Sequence, residues 1–407
     1  MPAPSIEPAV LERGVQDYLD LHRQPELSMA EWHTAQFIEE RLDQLGVEHF
    51  RCAGTGVIGL QRRGPGPVVA FRADIDGLPI QEETGLSYAS TATARAADGA
   101  TVPVMHGCGH DSHVASALTA ARCLARPERE WAGTVVWIFQ PGEESGAGAR
   151  ALLEDGLWQR APRPELVLGQ HIGSFAAGQI RLAHGPVCAQ ADSWLVRIQG
   201  RQAHAARPHT GLDPIVQACA TIMRLQAVVA REVDALQSAA VTVGTFQAGL
   251  KENIIPERAE FSLNIRTFDP LVRQRLLAAV RRVIRAEATA SGAPDPELIE
   301  LANWPALHND PAATTRLERA FAAGWGDRLS LDPPSMGSED FGLLAQAIDA
   351  PSVFWRYGGL SESQAAAQAA GQDVPSNHSP SFAPDPARSL ATGAQAALTS
   401  LLSRLAR

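Results

Sequence analysis

Thr134-Val135-Val136-Trp137-Ile138-Phe139 runs directly into Gln140-Pro141-Gly142-Glu143-Glu144. A threonine and five apolar residues, rich in β-branched and aromatic side chains and stopped by Pro and Gly, predict a short strand. The same texture recurs on both sides of it. Val68-Val69-Ala70-Phe71 reads as a buried strand leading into Arg72-Ala73-Asp74-Ile75-Asp76-Gly77, and Leu166-Val167-Leu168 as another leading into Gly169-Gln170-His171. Phe354-Trp355 leads, after a loop, to Asn377-His378-Ser379-Pro380. Residues 112–125 read as a helix, and two more precede residue 45. Ser28-Met29-Ala30-Glu31 has the spacing of a capping box, and Gly46 suits a helix stop. Strands alternating with helices predict an α/β domain with a mainly parallel sheet flanked by helices.

Near residue 187 the texture changes. Strand patterns at 192–199, 239–246, 257–268 and 297–301 enclose helical patterns at 213–229 and 270–288. The order β-α-β-β-α-β is ferredoxin-like. Alternation with Gly-rich loops resumes after Trp304, so this α+β unit reads as an insertion. The expected division is 1–186 with 302–407 as one domain, and 187–301 as an inserted one. Residues 361–372, biased to Ala and Gln, read as a surface loop or a short helix.

Composition narrows the function classes. The 407 residues, 45% hydrophobic and 20% charged, suit a globular chain of two domains. A net charge of -10 argues against a nucleic-acid partner. No apolar run approaches the ~18–20 residues of a membrane span, and Met1-Pro2-Ala3-Pro4-Ser5 lacks a basic, apolar leader pattern. Five cysteines, odd in number and scattered, do not make a disulfide framework. The expectation is a reduced, soluble, cytoplasmic protein with no membrane partner. Cys52, Cys123, Cys188 and Cys219 read as small buried residues.

Cys108 differs because of its neighbours. Met105-His106-Gly107-Cys108-Gly109-His110-Asp111-Ser112-His113 packs a thiol, imidazoles and a carboxylate around flexible glycines. Cys and His are ligands that borderline-soft metals prefer, but a Cys-Gly-His triplet cannot close a site. The strand ends supply the rest, because ligands in open parallel sheets sit beyond the carboxyl ends of strands. Taken singly, His171, His378, the Asp-x-Asp and the Glu-Glu pair each have an ordinary explanation as a structural histidine, a turn or a solvated surface. Their placement at one sheet edge makes metal binding the joint reading. His22, His33, His49, His184 and His308 lack that placement. Adjacent carboxylates leaving a strand end diverge, so one can coordinate metal while its neighbour handles the proton of an attacking water.

These motifs, in this order, resemble the M20 metallopeptidase/amidohydrolase family. The nearest branch is M20D, with its hippurate hydrolases, aminoacylase-like enzymes and auxin-conjugate amidohydrolases. The match runs from His22-Arg23-Gln24-Pro25-Glu26-Leu27 to His378-Ser379-Pro380. The resemblance implies two divalent ions per chain, zinc or manganese, with cobalt and nickel as further options. Cys108, His110, Glu144, His171 and His378 fall on its ligand positions, with Cys108 as the bridge where other branches use Asp. Glu143 falls on the general acid/base. Asp76 falls in a segment suited to orienting a ligand. The insertion matches the family's lid, also its dimerisation domain. There His204 falls on the histidine that stabilises the oxyanion, and Asn253 and Arg266 on substrate-binding motifs. Arg266 suits either a bidentate grip on a substrate carboxylate or a structural salt bridge. Met336-Gly337-Ser338-Glu339-Asp340-Phe341 is expected as pocket wall.

The implied activity is hydrolysis of the amide bond of an N-acyl amino acid, such as an N-acetyl or N-benzoyl conjugate, by a homodimer. A dipeptidase or aminopeptidase is the enzymatic alternative, and would need an acidic anchor for a substrate ammonium. A metal-stabilised binding protein is the non-catalytic one.

Overall fold

The computed structural model describes residues 3–96 and 98–406. They fall into two compact units: Met1–Val187, His308–Pro333 and Asp340–Arg407 form one, and Cys188–Leu307 with Pro334–Glu339 forms the other.

The larger unit is built on an eight-stranded sheet in the order Glu48–Cys52, Gly56–Arg63, Gly133–Gln140, Val68–Asp74, Leu166–Ala176, Ser352–Leu360, Ile180–Leu182, Leu329–Leu331. Its four central strands, from Gly133–Gln140 to Ser352–Leu360, run parallel. They are nearly continuous runs of buried residues, as parallel strands covered on both faces must be. Phe71 links the core across the sheet, with ring centroids 5.7 Å from Trp137 and 6.1 Å from Trp355. The helices His110–Ala125, Pro8–His22 and Pro386–Leu405 pack on one another.

Two details differ from the sequence reading. The Leu166 strand continues to Ala176, so His171 lies within it, in register with Arg356, rather than in a following loop. Ser28 and Glu31 form no capping box. The Trp32–Gln44 helix has no side-chain cap; Ser28 turns to a distant partner, and Glu31 accepts from Met29 N–H and from the distant partners described below.

The smaller unit is a four-stranded antiparallel sheet, ordered Ala239–Ala248, Arg258–Thr267, Gln190–Gln199, Glu297–Trp304. Buried positions alternate along Gln190–Gln199 and Arg258–Thr267. Trp194, Val196, Ile198, Phe261, Leu263 and Ile265 thus share a core with Leu225 and Val228 of Pro214–Glu232 and with Leu276, Val280 and Ile284 of Pro270–Ala290. Each helix begins Asp-Pro. Asp213 accepts from Ile215 and Val216 N–H, and Asp269 from Leu271 and Val272 N–H. Set against the expected 187–301, this unit extends to Leu307 and takes in Pro334–Glu339. Ala189 N–H donates to the carbonyls of Ser335 and Gly337, which ties that segment here. Cys219 is exposed, contrary to expectation, because it lies off the buried face of its helix. Residues 362–369 form a short helix under a Ser361–Gln364 capping box. Among the described residues, no helix is long and apolar enough to cross a membrane.

Candidate metal centre

The turn into the His110–Ala125 helix sets the first two donors. Gly109, at φ 80°, puts the chain in the left-handed region that favours glycine. A Cβ there would lie 2.5 Å from Cγ2 of Ile172. This tight approach brings Cys108 against the Leu166–Ala176 strand, with its Sγ 3.4 Å from Nε2 of His171. On its other side Sγ lies 3.3 Å from Nε2 of His378. His378 Nε2 is in turn 3.4 Å from Oε1 of Glu144, and that oxygen is 3.8 Å from Nε2 of His110. One donor atom each from Cys108, His110 and Glu144 lies within 4.8 Å of the others. The five residues expected as ligands are therefore neighbours.

Glu143 and Glu144 leave the Gly133–Gln140 strand end through a constrained turn. Gly142 has φ 60°, and a Cβ there would strike Sδ of Met29 at 2.5 Å. Its N–H donates to Oε1 of Glu31 at 2.8 Å. Glu31 is fully buried and also accepts from Thr55 Oγ1 at 2.5 Å. Burial raises its carboxyl to about 7, with the Thr55 hydrogen bond opposing. Glu143 is buried, with Oε2 3.9 Å from His110 Nε2.

Asp76 joins the pieces. Its Oδ1 lies 3.1 Å from Nδ1 of His110, while Oδ2 accepts from Ser28 Oγ at 2.7 Å and from Glu144 N–H at 3.0 Å. Asp74 holds a second histidine. Its carboxylate pairs with Arg72 and accepts from Nδ1–H of His113, whose Nε2 accepts from Ile172 N–H at 2.8 Å. Asp74 is thus engaged by Arg72 and His113, and His113 by Asp74 and the Ile172 backbone, beside the donors.

Electrostatics follow from this packing. Burial alone would lower the His110 imidazole, but the Asp74 charge and the Asp76 hydrogen bond raise it well above the usual histidine range. Burial and the nearby His113 hold His171 well below that range, so it is neutral. Its Nδ1–H donates to the carbonyl of Ile172 at 2.6 Å, which leaves the Nε2 lone pair facing Cys108. Burial and the Glu144 charge push the Cys108 thiol up, so a cation is the partner that would ionise it. His110 Nε2 and Glu144 Oε1 are buried with no hydrogen-bond partner among the described residues. A thiol, a neutral imidazole and two orphaned donors converging on one spot fit a divalent metal site of mixed S, N and O ligands.

His204, Asn253 and Arg266 belong to the smaller unit. His204 is exposed on a two-residue strand paired with Ile254. Its Nδ1 accepts from Ala206 N–H at 3.0 Å, which assigns the ring proton to Nε2. The carbonyl of Asn253 accepts from Ala205 N–H at 3.0 Å. Arg266 makes no salt bridge among the described residues. Its Nε donates to Oδ1 of Asn264 at 2.7 Å, and its Nη1 to the Met336 carbonyl and to Ser338 Oγ. The side chain is therefore spent on the Pro334–Glu339 segment.

The partners of four residues escaped the sequence reading. Ser28 and Glu31 looked like a helix cap. His22 looked ordinary, yet it is buried between Asp111 and Glu82 at 2.6 and 3.2 Å. Asn377 was visible only as a member of Asn-His-Ser-Pro, with nothing to say what its side chain holds.

Known proteins share this architecture. The family model of peptidase family M20/M25/M40 matches residues 70–376. N-acetyl-L-cysteine deacetylase of Bacillus subtilis is 37% identical over 347 residues, covering 82% of this chain and 78% of that one. Hippurate hydrolase of Campylobacter jejuni is 34% identical over 333 residues, covering 80% and 83%. The crystal structure of the Bacillus subtilis YXEP protein, a dinuclear metal-binding peptidase of the M20 family, matches with a TM-score of 0.76 at 32% identity, covering 97% of this chain and 99% of that one.

Proposed function

This chain belongs to peptidase family M20/M25/M40 and is a metal-dependent hydrolase, and we propose that it cleaves the amide bond of N-acyl amino acids. One observation carries the reading. Of two adjacent carboxylates on one strand end, Glu144 sits in the Cys108–His110 donor cluster while Glu143 stands beside it, 3.9 Å from His110. The acyl amino acid class is supported by the relatives named for N-acetylcysteine and hippurate.

Cys108, His110, Glu144, His171 and His378 would hold two divalent ions. Bound there, such a pair supplies a Lewis acid for the amide carbonyl and acidifies an attacking water. Glu143 takes the water's proton and returns it to the leaving nitrogen. Asp76 keeps His110 turned by holding its Nδ1. His204 donates from Nε2 to the carbonyl oxygen as charge develops there, an interaction typically worth about 2.7–4 kcal/mol of barrier. Asn253 and Arg266 are assigned to the substrate side, Arg266 by holding the Met336–Ser338 segment rather than by a bidentate grip. The products are a carboxylate and an amino acid. Zinc or manganese as the native metal, a homodimer formed through the smaller unit, and a cytoplasmic location complete the proposal.

The test is a hydrolysis panel on metal-stripped enzyme with Zn²⁺, Mn²⁺, Co²⁺ or Ni²⁺ added back. N-acetyl and N-benzoyl amino acids are expected to be cleaved faster than unblocked dipeptides. Preference for dipeptides would replace this reading by a dipeptidase, and no turnover with any metal would favour a binding protein.

A further inference from the structure

The proposed ligands come from four separate segments: the turn holding Cys108 and His110, the turn holding Glu144, the strand holding His171 and the loop holding His378. Each must be held at its spacing by something other than the ligands themselves. His378 shows the difficulty most clearly. It is a non-glycine residue at φ 69° on a half-exposed loop, a strained conformation that persists only where surrounding contacts over-determine it.

Those contacts are on its neighbour. Nδ2 of Asn377 donates to the carbonyl of Cys108 at 3.2 Å and to the carbonyl of Ile172 at 3.3 Å, and lies 3.9 Å from Cys108 Sγ. Its Oδ1 accepts from Ser174 Oγ at 3.0 Å. The amide cannot be turned over, because two carbonyls offer only acceptors to Nδ2. The Ile172 carbonyl is also the acceptor for Nδ1–H of His171. One amide thus grips the Cys108 turn and the anchor of His171, while His378 N–H donates to the carbonyl of Gly107 at 2.8 Å. Together these bonds latch the 376–380 loop to the Cys108 turn and to the strand that carries His171.

We propose that Asn377 is a positioning residue whose side-chain amide fixes the Cys108 sulfur against His171 and His378, and so sets how tightly the metal pair is held. This rests on the ligand assignment made above. Supports of this kind are typically worth 10- to 100-fold in metal affinity. Asparagine is required rather than aspartate. A carboxylate of the same shape would keep an acceptor for Ser174 but would face two carbonyl oxygens and a sulfur with no proton to donate.

The probe is Co²⁺, added to the metal-free full chain and followed by the absorption of sulfur-to-cobalt charge transfer and by competition with a chelator. In the wild type the band is expected, and Cys108→Ser should abolish it. Absence of any such band in the wild type would overturn the ligand assignment and this proposal with it. Given the band, Asn377→Asp should shift it and weaken Co²⁺ binding roughly 10- to 100-fold, with the unfolding midpoint of the metal-free protein unchanged. Wild-type affinity and spectrum in that variant would overturn the proposal, as would a loss fully matched by a lowered metal-free midpoint. Should Asn377→Asp not fold, Asn377→Ser removes the amide and its reach to the two carbonyls without adding charge, and carries the same expectation at smaller size.

Discussion

Asp76 and His110 meet at 3.1 Å, carboxylate Oδ1 to imidazole Nδ1, with both side chains buried. The pair turns His110 so that Nε2 faces Cys108 and Glu144. The same carboxylate accepts from Glu144 N–H, so it orients two donors at once.

Asp76→Asn is therefore expected to weaken metal binding by about 10- to 100-fold while the fold survives, since asparagine keeps the volume and one acceptor. Metal content after dialysis against a graded chelator checks this. Retention equal to wild type would reduce Asp76 to a packing residue.

Glu143→Gln is expected to keep full metal content and to lower kcat by roughly 10²–10⁴-fold, the usual contribution of a positioned acid/base. The amide preserves shape but cannot take the proton. Stoichiometry and steady-state rates on one preparation decide it, and a wild-type rate would remove Glu143 from the chemistry.

His22 gives a prediction in pH. Burial would lower its imidazole, but the hydrogen bonds and charges of Asp111 and Glu82 raise it to about 9. The folded state therefore binds the proton more tightly than the unfolded chain, where the value is 6.5. The stability this contributes is fully present below pH 6.5 and is lost as pH rises through 9. Its size is about 3 kcal/mol. Asp111 and Glu82 are themselves held low, so they stay charged across this window. The wild type should lose stability relative to His22→Gln between pH 6.5 and 9.5 in urea unfolding. A constant difference between the two would dissolve the ion pair.

How much of this was legible in the sequence depended on whether the signal was local. Strand runs such as Val135 to Phe139 announce themselves by periodicity, and the Asp-Pro starts of two helices by cap chemistry. The donors could be gathered because strand ends of a parallel sheet share an edge. Side chains whose partners are distant could not be read. Ser28 and Glu31 have the spacing of a cap, but Asp76, Thr55 and Gly142 outbid the local helix terminus. His22 and Asp111 are 89 residues apart, and no pattern in either segment points at the other. Arg266 could be placed on its motif, but not its commitment to the Met336 carbonyl.

Glu31 tests that last kind of contact. It is a buried carboxyl whose value is raised by burial from 4.5 to about 7. The folded state binds its proton more tightly than the unfolded chain. The stability it contributes is fully present below pH 4.5 and is lost as pH rises through 7. Above that, the fold carries a buried charge at a cost of about 3 kcal/mol, and holds Gly142 N–H in return. Glu31→Gln keeps an acceptor oxygen but has no charge to bury. Wild type and variant compared by urea unfolding at pH 5 and pH 8 should diverge, with the variant gaining on the wild type at the higher pH. Because Gly142 N–H then meets a neutral acceptor, the turn carrying Glu143 should loosen, and kcat at pH 8 should fall while metal content holds. Equal pH dependence in the two proteins would mean that Glu31 titrates as an ordinary carboxylate, and unchanged kcat would detach it from the Glu143 turn.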